Sequence, residues 1–354
     1  MTTYMLIFAG ALVFAVSGTP VARKLGWRLG VIDQPSARKV HLKPVPRLGG
    51  LAIYAAFILA LLIFEDRFRV PQLVSILIGA TLVSFLGVWD DRRSLRPLLK
   101  LVGQIIAALI LVFSGVQVRF LPYPFLNVAV TILWVVGITN ALNLLDNMDG
   151  LSGGVGAVAA AFFLLLAAMN GQYLVGGLAA ALLGACLGFL IYNFNPATIF
   201  MGDTGSLFLG FILAALGIKL RFPGRLDIVT WMVPVVVLGL PVFDTTLVVI
   251  SRLRRGVPIY QGGRDHVSHR LVTMGLTQRE AVLILYLVCG ALGVLAIFIT
   301  QASLLEGYII GGAIALAGLL ALVRLEWVGV GSQMAPTHYV SRFTDQGGKN
   351  ESEE

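Results

Sequence analysis

Val70-Pro-Gln-Leu-Val-Ser-Ile-Leu-Ile-Gly-Ala-Thr-Leu-Val-Ser-Phe-Leu-Gly-Val-Trp89 runs without a charge into Asp90-Asp91. About 20 mostly apolar residues suffice for an α-helix to cross a bilayer. The paired carboxylates then stand at a membrane surface, where an ionisable side chain marks a functional site by default. Adjacent acids repel and raise each other's pKa unless a cation neutralises them. Asp90-Asp91 therefore reads as half of a divalent-metal and phosphate site, whose other half lies elsewhere on the same membrane face.

The whole chain supports a membrane reading. It is 58% hydrophobic and 12% charged, with a mean hydropathy of +0.89, whereas soluble domains carry about 25% charged residues. The expected fold is an all-α polytopic membrane protein with about 11 spans, near 4–22, 48–64, 71–89, 98–116, 122–142, 153–169, 173–193, 205–220, 228–250, 281–300 and 307–324. Asn170-Gly171-Gln172 is the turn that divides the long apolar stretch after Leu151. The first apolar run has no Lys or Arg before it and no small-residue cleavage site after it, so it is expected to stay as a span. Cys186 and Cys289 both lie within apolar segments and read as small core residues. One transmembrane domain over 1–345 and a polar, acidic, disordered tail over 346–354 complete the expected organisation.

Charge placement sets the orientation. With the N-terminus outside, cytoplasmic segments hold twenty Lys and Arg: seven in 23–47, four in 92–100, six in 252–279 and three near the C-terminus. External segments hold six, namely Arg67, Arg69, Arg119, Lys219, Arg221 and Arg225. That bias follows the positive-inside rule and puts the C-terminus in the cytoplasm. The net charge of +8 is thus a matter of membrane orientation, and no nucleic-acid partner is expected.

The same alternation brings nearly every polar motif to the cytoplasmic face. Asn140-Ala-Leu-Asn143-Leu-Leu-Asp146-Asn-Met-Asp149-Gly150 puts Asn140, Asn143 and Asp146 on one helix face. Amide and carboxylate oxygens there suit a hard cation such as Mg²⁺, or base and ribose contacts; the plain alternative is a helix end capped by Asn and Asp. In Phe200-Met-Gly202-Asp203-Thr-Gly205-Ser206, Asp203 is either a helix cap or a metal carboxylate beside a helix N-terminus that phosphate can approach. Arg252-Leu-Arg254-Arg255 and Arg264-Asp265-His266-Val-Ser-His269-Arg270 suit either an anionic-lipid contact or a diphosphate held by guanidinium forks. The first loop contributes Lys39, His41 and Arg47 as a phosphate clamp, or as ordinary positive-inside residues. Asp244, inside an apolar span after Pro241, contacts substrate or satisfies backbone freed by the proline.

Together, the Asp90-Asp91 pair, the NALNLLDNMDG string, the FMGDTGS string and the His-containing last cytoplasmic loop resemble the polyprenyl-phosphate N-acetylhexosamine-1-phosphate transferases of glycosyltransferase family 4. The resemblance covers roughly Asp33 to Leu285. The last loop lacks the triple-His string of the MraY branch and is similar to the WecA/TagO branch. The resemblance implies a multi-pass protein of the plasma (inner) membrane with a cytoplasmic-face active site. It also implies transfer of N-acetylglucosamine-1-phosphate from UDP-N-acetylglucosamine to undecaprenyl phosphate, releasing UMP, early in cell-envelope polysaccharide synthesis. Another UDP-sugar, such as a muramyl-pentapeptide or deoxy acetamido donor, stays open, and so does a homodimer.

The same resemblance implies site roles. Mg²⁺, or Mn²⁺ in its place, sits on Asp203 and Asn143. Asp90 and Asp91 face the acceptor phosphate, with Asp146, His266 and His269 also in the catalytic set. Asn140, Asp149, Phe200, Arg264, Arg270, Lys39, His41 and Arg47 bind substrate. Bringing a diphosphate and a phosphate together needs cationic neutralisation whatever the family. A secondary transporter is the rival reading; it predicts charges at the bilayer midplane and inverted repeats.

Overall fold

The computed structural model describes residues 2–35, 43–63, 71–224, 227–260 and 262–328. Lys39, His41 and the 346–354 tail lie outside them. Seven long helices are followed by a central one: α1 (Thr2–Leu29), α2 (Gly49–Ile63), α3 (Pro71–Arg93), α4 (Pro97–Phe113), α5 (Pro124–Leu145), α6 (Leu151–Met169), α7 (Tyr173–Asn193) and α8 (Gly202–Lys219). Then come α9 (Asp227–Thr230), α10 (Met232–Val237), α11 (Gly239–Arg254), α12 (Val267–Thr273), α13 (Gln278–Gln301) and α14 (Leu304–Glu326). The sole strand pairing among the described residues joins β1 (Ile32–Asp33) to β2 (Val45–Pro46), antiparallel.

Local chemistry sets the helix starts. Proline opens α3, α4 and α5, where its missing N–H would have had no helical partner and its fixed φ suits the first turn. Capping boxes open α13 (Thr277 with Glu280) and α14 (Ser303 with Glu306), each satisfying two otherwise orphaned N–H groups. The Asn170-Gly171-Gln172 turn separates α6 from α7 as expected, with Gly171 at φ +64°.

Among the described residues, eight helices are long and apolar enough to cross a membrane: α1, α3, α5, α6, α7, α8, α13 and α14. The shorter α2 and α4 are also apolar. The expected span 228–250 is instead broken into α9, α10 and α11. Pro241 has no N–H for the Val237 carbonyl, and Gly239 resists helix formation, so the helix restarts after Leu238.

Burial separates the roles of these helices. Every residue from Thr204 to Ile218 of α8 is buried, enclosed by α2, α3, α5 and α6. In α14 only Gly307 is buried, so its apolar side chains face outward, as befits a helix against lipid. Cys186 and Cys289 are both buried and free.

Close backbone approach packs α2 against α8. A Cβ on Gly50 would run into the backbone of Thr204 and Gly205. The ends of α3, α5, α7 and α11 meet the beginnings of α4, α6, α8 and α13 at one polar face. The other ends of α3, α4, α7 and α8 meet at the far face through Ser75–Ser114, Lys219–Gln72 and Gln172–Arg221 hydrogen bonds.

Candidate active site

The polar face carries two clusters. The first forms where α3 ends, α4 begins and α8 begins. Gly202 opens α8 at φ +70°, a left-handed conformation glycine adopts without strain. Its Cα faces the Asp91 carboxylate and the Arg47 carbonyl so closely that a side chain would collide with both.

Asp91 accepts hydrogen bonds from the Asp203 N–H (2.9 Å), the Thr204 N–H (3.0 Å) and the Thr204 hydroxyl (2.7 Å). It therefore caps α8 from another helix, where a carboxylate also complements the helix dipole. The two members of the pair thus differ in surroundings: Asp91 is engaged with the start of α8. The cap comes from Asp91, and the Asp203 side chain is directed elsewhere.

The partner of Asp203 is Lys100, whose ammonium donates to Asp203 Oδ2 and, at 3.0 Å, to Asp90 Oδ2. Asp90 also accepts from the Leu95 N–H. The Lys100, Asp90 and Asp203 side chains are 17%, 17% and 18% exposed, so they are accessible without lying open to bulk water. Asn143 donates to Ser206 Oγ at 2.9 Å and hydrogen-bonds Asp203. Asp146 ends α5. Burial first, then the charges of Asp203, Asp91 and Asp149, push its carboxyl up to about 8, with Arg47 pulling the other way. Arg47 pairs with Asp33 at 3.2 Å. It is carried on a loop stitched to the Phe200 string by Phe200 N–H to Pro46, Gly49 N–H to Phe200 and Gly50 N–H to Met201 bonds.

Hard oxygen donors in excess of cations fit a divalent ion such as Mg²⁺. Among the described residues no three His, Cys, Asp or Glu side chains converge as a complete cage.

Sequence reasoning counted Lys100 only as a positive-inside residue. The signal was present: Lys100 and Gln104 stand four apart on the otherwise apolar α4, hence on one face. Gln104 and Asn140 exchange amide hydrogen bonds of 2.6 and 3.3 Å, and Asn140 also donates to the Val136 carbonyl. Asn140 is thereby held between α4 and α5, in line with Lys100.

The second cluster lies where α11 and α12 meet α14. Asp244 accepts from the Val267 N–H and pairs with His266 Nδ1, both at 2.7 Å, and so fixes the ring in one orientation. The partners of Asp244 are thus in the last loop, not in backbone freed by Pro241. His269 stands 6.1 Å from His266, centroid to centroid. Burial, reinforced by His266 and Arg264, pushes His269 down to about 4 against the pull of Asp244 and Asp265. Burial would raise Asp265, but the Arg252 hydrogen bond and the charges of Arg255 and Arg252 hold it below the usual carboxylate range.

Arg270 is engaged with the scaffold. It is 1% exposed and donates to the Asp265 and Leu325 carbonyls, Ser251 and Glu326. Those bonds occupy its guanidinium in fastening α12 to α14, whereas Arg264 in the same loop is exposed.

The two clusters are joined. Ser268 donates to Asn147 Oδ1 at 2.6 Å, linking α12 to the segment between Asp146 and Asp149. Asp149 accepts from Asn195 Nδ2 (3.1 Å) and the Ala197 N–H (2.9 Å), which brings the half-buried Phe200 segment alongside. All described candidate residues share this face, at or beside helix ends.

Comparison with known proteins agrees. The model of glycosyl transferase family 4 matches residues 73–221. A Bacillus subtilis probable undecaprenyl-phosphate N-acetylglucosaminyl 1-phosphate transferase is 35% identical, covering 86% of this chain and 87% of its own length. The Mycobacterium tuberculosis decaprenyl-phosphate N-acetylglucosaminephosphotransferase is 32% identical over 90% of this chain and 88% of its own. A Yersinia pestis undecaprenyl-phosphate alpha-N-acetylglucosaminyl 1-phosphate transferase is 25% identical over 90% and 88%. With such identity sustained across nearly the full length of its relatives, this chain belongs to glycosyl transferase family 4.

Proposed function

We propose that the protein transfers N-acetylglucosamine-1-phosphate from UDP-N-acetylglucosamine to undecaprenyl phosphate. The acceptor phosphate oxygen forms a bond to the sugar-bearing phosphorus of the donor. The bond from that phosphorus to the bridging oxygen breaks, and UMP leaves. The observation that carries this reading is the Asp90–Lys100–Asp203 bridge at the polar end of an apolar bundle: charged groups for phosphate chemistry beside a lipid-soluble tail. The named relatives support N-acetylglucosamine as the sugar.

Each residue has a task in this reaction. Asp90, held by Lys100 and the Leu95 N–H, orients the acceptor phosphate. Lys100 and Arg47 offset the negative charge that accumulates as two phosphates approach. Asp203 and Asn143 would hold Mg²⁺, or Mn²⁺, which supplies Lewis-acid stabilisation of phosphoryl oxygens when bound. Asp149 and Phe200 border the donor nucleoside. His266, aimed by Asp244, works with His269 and Arg264 on the diphosphate. The excess of Lys and Arg supports a site on the cytoplasmic face of the plasma membrane, with about eleven spans and the N-terminus outside.

The test is direct. Purified protein is incubated with Mg²⁺, undecaprenyl phosphate and a panel of UDP-sugars, and UMP release is measured. Acceptor-dependent UMP from UDP-N-acetylglucosamine is expected. Release only from another UDP-sugar would change the donor, and release from none would refute the transferase reading.

A further inference from the structure

The turn between α5 and α6, residues 146–150, is gripped from several sides. Gly150 stands at φ +79°, its N–H donates to Asn193 Oδ1 at 3.0 Å, and its carbonyl accepts from the Tyr286 hydroxyl. Tyr286 reaches that carbonyl across Gly154, where a Cβ would collide with the phenol. Asp149 is tied through Oδ2 to Asn195 and to the Ala197 N–H. The Asn195 carbonyl in turn accepts from Arg279 Nε at 2.8 Å. Bonds to α13 and to the α7–α8 connection therefore make the Asp149–Gly150 end of the turn a firm platform.

Asn147 is the part of this turn that meets the histidine helix. Its Nδ2 donates to the Leu144 carbonyl at 3.0 Å, and its Oδ1 accepts from the Ser268 hydroxyl at 2.6 Å. Ser268 is 1% exposed and lies on α12 between His266 and His269. Neighbouring bonds fasten the same segment to other helices. His266 and the Val267 N–H go to Asp244 on α11, and Arg270 goes to Ser251 and Glu326. Ser268 reaches the other way, toward the turn, and so fixes how far the histidines stand from Asp149. A neutral hydrogen bond sets that distance without adding charge to a site that receives phosphates.

We propose that Ser268, acting through Asn147, is a positioning residue for the nucleotide donor: it sets the spacing between the Asp149 segment and the histidine helix, and so favours ligands that span both. The inference rests on the reading above, in which Asp149 borders the nucleoside and the histidines work on the diphosphate. A ligand held at two ends loses affinity when those ends can drift, because binding must then restore their spacing as well. A ligand that engages one end loses none.

The full-length protein is assayed for UMP release at varied UDP-N-acetylglucosamine and saturating undecaprenyl phosphate. S268A should raise the donor KM about fivefold, the equivalent of one neutral hydrogen bond, with kcat and the acceptor KM close to wild type. S268T keeps the hydroxyl and should restore the donor KM. N147A should repeat the S268A effect, and the double variant should add nothing further, since both remove the same bond. Inhibition separates positioning from general damage. UDP spans both ends and should inhibit S268A less well than wild type, while uridine engages one end and should inhibit the two equally. Should S268A fail to fold, N147A carries the same measurements, because Asn147 is only half-buried. An unchanged donor KM, or a loss of inhibition equal for UDP and uridine, would overturn the proposal and leave the transferase reading intact. Absence of UMP release by wild type with every donor would overturn that reading, and the inference with it.

Discussion

The two clusters on the polar face use the same residue types, yet they match charge very differently. Where α11, α12 and α14 meet, charges close on one another: Arg252 and Arg255 on Asp265 at 2.8 and 3.0 Å, Arg270 on Glu326 at 2.8 Å, and His266 on Asp244 at 2.7 Å. Where α3, α4 and α8 meet, four carboxylates, Asp90, Asp91, Asp146 and Asp203, face Lys100 and an Arg47 already shared with Asp33. A closed set of pairs holds a scaffold. Carboxyl groups in excess of cations, kept partly out of water, call for a further cation or for protons, which Asp146 at about 8 takes up, and the contrast can be broken experimentally.

The largest effect is expected at the open cluster. Asp203→Asn preserves shape while removing a negative charge, and should lower kcat for UMP release about 10³-fold, roughly 4 kcal/mol of transition-state stabilisation. Its unfolding midpoint should hardly move, because Asp91 and not Asp203 caps α8. A wild-type rate would strip Asp203 of its role.

Arg270→Met probes the closed cluster and should do the reverse. Removing a buried, multiply bonded cation leaves Glu326 only its more exposed 3.2 Å contact with Arg254, and should cost about 3 kcal/mol of stability. Unfolding in detergent would measure that loss. The folded fraction should turn over within a few-fold of wild type; a selective kcat defect with intact stability would return Arg270 to the substrate. Lys100→Met comes next, with kcat expected to fall about a hundredfold, or ~2.7 kcal/mol, since Asp90 and Asp203 would then share a cleft with no bridging cation. Unaltered turnover would reduce Lys100 to a structural tie.

Much of this contrast was legible before any coordinates. Apolar runs reveal helices because a bilayer requires twenty or so uncharged residues, and prolines and capping residues mark where they begin. Asp90, Asn143 and Asp203 could be found because polar residues at the ends of such runs are costly unless used. What stayed hidden was pairing across distant segments. Nothing local tells that Asp91 caps α8 while its neighbour Asp90 meets Lys100, since both are the same residue at the same helix end. Arg270 and Arg264 look equivalent in a basic loop; only the return of α14 over α12 buries the first. The break in 228–250 was foreshadowed by Pro234, Gly239 and Pro241, but hydropathy alone averages across such a break.

The smallest effect concerns protons, and it tests whether the closed cluster is closed to them too. His269 sits at about 4, against about 6.5 for an unperturbed histidine, because burial, His266 and Arg264 together oppose its charged form. The fold therefore favours neutral imidazole, and between those two values the unfolded chain binds more protons. Stability from this group is fully present above about pH 6.5 and is lost as pH falls toward 4, amounting to about 2 kcal/mol by pH 5 relative to neutral solution. Thermal unfolding of wild type should show that decline, and His269→Gln should flatten it; an unchanged slope would assign the decline to other groups. A phosphate group bound beside Arg264 and His269 would supply the missing counter-charge and raise the histidine's pKa. Donor binding should then weaken the same pH dependence, which separates a cluster that merely excludes protons from one that excludes them until an anion arrives.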